Sequence, residues 1–128
     1  MQVDIFTLCD NAQEYNGKMV IVGTFNAMSV SKFPYVHAGF AVVASIRFDK
    51  NEKKEHDFEI SIKKSDADLF LMSPTKMRAS NIDTQSEYTY INLIIKGNNI
   101  EIKEPGKYIV CLKIDDKIRE VMLTISEQ

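Results

Sequence analysis

The chain has no tryptophan, only two histidines and two cysteines, no long apolar run and no excess of either charge. No stretch approaches the roughly 20 apolar residues of a membrane helix. The N-terminus, "MQVDIFTLCD", has neither a basic leader nor a long apolar segment and reads as a strand. Cytoplasmic localisation is therefore the expectation, and with it reduced thiols. A formal charge of −2 argues against nucleic acid, whose binders gain most of their affinity by neutralising phosphates. The lysines of "DKNEKKEHD" are interleaved with Asp49, Glu52, Glu55 and Asp57, as on a solvated turn.

Two histidines and two cysteines also leave little for metal or nucleophile chemistry. There is no C-x-x-C and no H-x-x-x-H, so a structural zinc site is not expected. "SDAD" (65–68) lacks the glycine and the distal glutamate of a calcium loop. No G-x-S-x-G, P-loop or dinucleotide-binding glycine pattern occurs. Cys9 and Cys111 lie in the apolar runs "FTLCD" and "YIVCLK", where burial raises a thiol's pKa and makes it inert. The pair Asp115–Asp116 falls in a hairpin turn, where aspartate is favoured for local backbone hydrogen bonds. No catalytic residue, metal ligand or cofactor is expected, and the chain reads as a non-enzyme.

What the chain does have is alternation. Its 128 residues, 45% apolar and 27% charged, suit one globular domain without low-complexity tract or linker. Phe58, Ile60 and Ile62 alternate with Glu59, Ser61 and Lys63, a strand with one buried and one wet face. In 40–48, Phe40, Val42, Ala44, Ile46 and Phe48 share one face, and Ala41, Val43, Ser45 and Arg47 the other. Further strands are expected at 3–9, 18–28, 69–72, 87–96, 100–103, 107–114 and 118–125, with 73–86 open between edge strand and loop. Eight or nine strands at this spacing predict an all-β fold, an antiparallel β-sandwich, immunoglobulin-like or related, over residues 1–128. One helical turn is allowed near residues 10–16, because Asp10 followed by Gln13 has capping-box spacing and Gly17 suits a helix stop.

Four stretches, "FTLCDNAQEYNGKMVIVGTFN", "FPYVHAGFAV", "IRFDKNEKKEHDFEI" and "PGKYIVCLKIDD", carry a resemblance across nearly the whole chain. It resembles a family of small uncharacterised bacterial proteins with the pattern F-x-L-C-D-x-A-Q-x-Y-x-G-K, then G-T-F, F-P and P-G-x-Y. The first motif is fairly specific; P-G-x-Y is not. The resemblance implies a β-sandwich of unknown function and assigns no catalytic or binding residue.

The functional expectation is a non-catalytic module binding a protein or peptide, with a small-ligand or carbohydrate-binding sandwich as the alternative. Loops held by a rigid sheet are where binding residues concentrate. The candidate set is Asp10, Asn11, Gln13, Glu14 and Asn16, expected to share an end of the sheets with Asp49, Asn51 and Glu52. Capping of a short turn explains the same residues structurally, and more economically. Tyr88 and Tyr90 share a strand face suited to stacking, with cross-strand packing as the simpler account. The "FPYVH" segment is read as a plug over the open end of the sheets, or else a docking tip. Tyr108, after "PG", is expected in the core, and Gly106 at a positive φ.

Overall fold

The computed structural model describes residues 1–128 as nine strands and no helix. They are β1 (Gln2–Tyr15), β2 (Lys18–Phe25), β3 (Ala27–Val30), β4 (Tyr35–Asp49), β5 (Glu55–Lys64), β6 (Phe70–Ser80), β7 (Tyr88–Ile102), β8 (Gly106–Ile114) and β9 (Lys117–Glu127). No helix is long and apolar enough to cross a membrane. One sheet has the order β2-β1-β4-β7 and the other β3-β9-β8-β5-β6. The pairings are antiparallel except for β3 with β9. The chain passes between sheets at Asn26, whose carbonyl accepts the Thr124 amide at 3.0 Å.

The inner faces of both sheets enclose one core. Val42, Ala44, Ile46 and Phe48 of β4 meet Phe58, Ile60 and Ile62 of β5, and Tyr108, Val110, Leu112 and Ile114 of β8. The period-two pattern thus points the expected side chains inward. Phe33 and Tyr35 pack on this core from the "FPYVH" side, as a plug would.

Three expectations need correction. The helical turn at 10–16 does not form: β1 runs on to Tyr15 and closes onto β2 through Asn16 and Gly17, at φ 51° and 76°. Two consecutive positive φ values make a type I′ hairpin turn, for which Asn-Gly is the preferred dipeptide. Asp10 and Gln13 therefore cap nothing. The proposed strand at 18–28 is two strands in different sheets, while 87–96 and 100–103 are one, β7. The ambiguous stretch resolves into edge strand β6 through Ser80 and a connection carrying one bridge, Ile82 to Tyr90.

The two cysteines are free; Cys9 is buried and Cys111 only half-buried. Cys9 packs under the β1–β2 hairpin, whereas Cys111 sits beside Ser61 and Glu120 on the outer face of the other sheet. Burial raises both thiols, and at Cys111 the carboxylates of Glu120 and Glu59 add to it.

Tyr108 is fully buried and its hydroxyl donates to the Glu104 carbonyl at 2.6 Å, closing the turn before β8. Gly106 has φ 139°, and a Cβ there would lie 2.7 Å from Lys64 Cε. Truncation by Tyr108→Ala is expected to cost about 3–5 kcal/mol, and Tyr108→Phe about 1 kcal/mol through the orphaned carbonyl. Chemical denaturation of the three proteins checks the order; a Tyr108→Ala midpoint equal to wild type would contradict this placement.

Candidate functional site

β1 changes partner midway. Gln2 to Cys9 pair with β4, and Leu8 to Tyr15 with β2, so beyond Cys9 the hairpin has left β4. It folds over the outer face of β4 and β7. Cys9, Ala12, Ala41 and Val43 form a second buried cluster there, with Met19, Ile21 and Ile94 against it. Gly23, at φ 69°, lies under the Asp10 carboxylate, which occupies the space a side chain at 23 would need.

This geometry disperses the sequence-predicted set. Asp10 lines a small cleft with Gly23 and His37. Asn11 and Gln13 stand opposite Val22 and Val20, on the hairpin's outward face. Glu14 is exposed opposite Met19, and Asn16 is in the turn. Glu52 accepts instead from the Met1 amino group and the Asp49 amide, each at 3.1 Å. No hydrogen bond or ion pair joins residues 10–16 to 49–52. The end-sharing argument fails because 10–16 is strand and turn rather than an end loop.

Two surfaces emerge that local pattern does not reveal. The first is the outer edge of β2. Val20, Val22 and Tyr15 are 52%, 56% and 69% exposed on this hairpin, and Asn11 and Gln13 share the valines' face. The other sheet edges are guarded. β6 carries Pro74, Lys76 and Arg78. β3 has four residues. The start of β7 is bonded by Ile82, and Met72 lies against Gly97 further along. Prolines, charges, shortness and covering loops are how proteins blunt edges; β2 has one terminal lysine, Lys18.

The second surface is a cleft of about 440 Å³ beneath the hairpin tip. Its floor is built by hydrogen bonds. Ser45 Oγ donates to Asn92 Oδ1 at 2.8 Å, while Asn92 Nδ2 and the Tyr90 hydroxyl each donate to the Gly17 carbonyl at 3.3 Å. Its wall is the Arg47 guanidinium, 4.9 Å from the Tyr88 ring centroid and 3.4 Å from Asp4. Asp4 sits at a register shift in β1. The Tyr88/Tyr90 spacing was the legible signal for this cleft; its partners come from distant segments.

A third feature is a buried histidine. His56 stacks on Phe48, ring centroids 4.0 Å apart, with Nδ1 2.8 Å from Asp115 Oδ2 and Nε2 buried without a partner. Asp115 also accepts from the Asp57 amide at 3.1 Å and pairs with Lys53 at 3.3 Å. Burial pushes its carboxyl up, but the bonds from His56, the Asp57 amide and Lys53 outweigh this and hold it at about 2. No three of His, Cys, Asp and Glu gather as metal ligands would.

Fold and surfaces together define an all-β protein of nine strands in two sheets around a shared core, with one hairpin laid over the outer side of β4 and β7 and an open edge beside it. The chain belongs to the DUF6941 family, a family of unknown function, which matches residues 4–125. No curated protein and no solved structure matches the chain. Membership agrees with the resemblance drawn from the four sequence stretches and brings no residue assignment with it.

Asp115 makes acid stability testable. Its folded pKa lies below the ordinary 3.8, so its contribution is fully present above pH about 4 and is lost as pH falls through about 2. Allowing for partial exposure, it is worth about 1–2 kcal/mol. Asp115→Asn should lose that much at pH 5, and the gap from wild type should close towards pH 2 in denaturation series. A gap independent of pH would contradict the ionised role.

Proposed function

We propose that this protein is a non-catalytic interaction module that takes an extended segment of a partner protein along the open edge of β2. The observation that carries this reading is the contrast among edges: three are blunted and β2 is not. An added strand gains main-chain hydrogen bonds from the edge and specificity from alternate side chains. The alternate outward positions here are Val20 and Val22, flanked by Asn11 and Gln13. The favoured occupant is thus a strand-forming peptide with β-branched or aromatic residues at every second position and an amide or hydroxyl between them. Two of the sequence-predicted binding residues, Asn11 and Gln13, keep a role in this reading, as the polar flank of the valines.

We read the two sheets, on the same footing, as an immunoglobulin-like sandwich in a single domain of the bacterial cytoplasm. Supporting this are the shared core of both sheets and the bond from Tyr108 back to Glu104, which resembles a tyrosine corner. The free cysteines on opposite outer faces suit a reducing compartment.

Peptide display against the immobilised full chain tests the module. Selected peptides should protect the amides of residues 18–25 from hydrogen exchange. Val20→Lys with Val22→Lys should weaken binding at least about tenfold, or about 1.4 kcal/mol, with little change in melting temperature. Protection confined to other strands, or equal binding by the double variant, would overturn the reading.

A further inference from the structure

The geometry points to a second, separate binding site: the cleft beneath the hairpin tip takes a neutral saccharide. Four segments distant in sequence meet there: the start of β1, the Asn16–Gly17 turn, the end of β4, and residues 84–92. The hairpin is sealed onto the sheet by apolar side chains as far as Ala41, Val43 and Ile94. Under its tip the outer-face residues change to Ser45, Arg47, Tyr90 and Asn92, so the layer stays open and polar where it could have been closed.

Charge and hydrogen-bonding character select the ligand. Asp4 and Arg47 are the only charged residues lining the cleft, and they are paired to each other. An anion such as a phosphate or carboxylate would have to compete with Asp4 for the one cation. Five of the twelve lining residues, Ser45, Thr84, Ser86, Tyr88 and Tyr90, carry a hydroxyl outside the core; that of a sixth, Thr89, is buried. Each hydroxyl both donates and accepts, and the Asn92 amide does both with separate atoms. A sugar's hydroxyls have the same dual character, so every ligand hydroxyl can be met in either sense. Ile5, Met19 and the tyrosine rings supply apolar surface for the C–H face of a pyranose. The volume, about 440 Å³, falls within the range of small-molecule sites. The floor and wall are already tied by the hydrogen bonds and the Arg47–Tyr88 contact described above, so little ordering remains to be done on binding.

The experiment is amide NMR titration of the full chain with cellobiose, maltose and N,N′-diacetylchitobiose, with glucuronate and adenosine as comparators. At least one disaccharide should give saturable shifts at Ser45, Arg47 and residues 88–92, and neither comparator should match it. Tyr88→Ala and Asn92→Ala should each weaken that binding about tenfold or more while leaving the rest of the spectrum in place. Should either variant unfold, Tyr90→Phe, which removes only the hydroxyl, supplies the same comparison. Absence of saturable shifts with all three disaccharides at tens of millimolar would overturn the site. So would tighter binding of adenosine or glucuronate, or sugar binding undiminished in the variants. None of these substitutions lies in β2, and Tyr88→Ala leaves both bonds to the Gly17 carbonyl in place, so with that variant either site can fail without the other.

Discussion

Small side chains between the hairpin and the sheet are the constraint on which the rest of this architecture depends. Cys9, Ala12, Ala41 and Val43 are each at most 1% exposed, although Ala41 and Val43 are on the outer face of β4. An outer face normally carries polar residues, as β5 does with Glu59, Ser61 and Lys63. On β4 it carries the smallest apolar ones, and β4 is buried without a break from Phe40 to Ala44. Side chains of this size let a second backbone layer approach closely, and with Met19, Ile21 and Ile94 packed against them no room is left for water. From that contact follow the change of partner in β1, the position of Gly17 over Asn92, and the projection of β2 as a free edge. A bulky or charged residue at Ala41 would separate the layers and undo all three.

The opposite side of the molecule is held by polar bonds instead. Asp115, at φ 53° in the β8–β9 turn, bonds His56 and the Asp57 amide, and its own amide donates to the Asp57 carbonyl at 2.8 Å. Arg78 of the neighbouring edge strand adds Asp57 at 2.9 Å. The turn is thus tied to the start of β5 through both backbone and side chain. Removing Asp115 would strip a buried imidazole of its one hydrogen bond, and a buried polar group left unsatisfied costs more than the bond itself contributed.

How much of this was legible depends on the range of the deciding interaction. Phe58, Ile60 and Ile62 announce their inward face through simple alternation, as do Tyr108, Val110 and Leu112. The two faces of β4 were also readable, but not what would cover the outer one, since the covering side chains, Cys9, Ala12, Met19 and Ile21, come from a hairpin distant in sequence. At 10–16 two local signals competed. The Asp10/Gln13 spacing is compatible with a cap, yet Asn16–Gly17 is a strong hairpin dipeptide. Pairing of Asn11 with Val22 and Gln13 with Val20 extends the ladder that the cap would have broken. Asp115 shows the same limit, since its turn position was evident and its bonds to His56 and Asp57 were not. The cleft was half visible: Tyr88 and Tyr90 share a face by periodicity, whereas Asp4, Arg47 and Gly17 join them only through the fold.

The unguarded edge calls for an explanation of a different kind. An exposed strand bearing Val20 and Val22 templates further pairing, and such edges are selected against in soluble proteins because they aggregate. Chance neglect is a poor account here, because the same chain blunts β6 with a proline and two cations, shortens β3 and bridges the start of β7 through Ile82. Nor does folding require the valines. Their side chains point away from the Cys9–Ala12 cluster, so polar β-branched residues such as threonine would keep strand propensity without the apolar surface. The positive φ of Gly23 does not account for them either, since Gly23 alternates with Val20 and Val22 and belongs to the other face. The proposed function accounts for this edge: a partner strand would satisfy it, and the pairing the edge invites would be the one that is used.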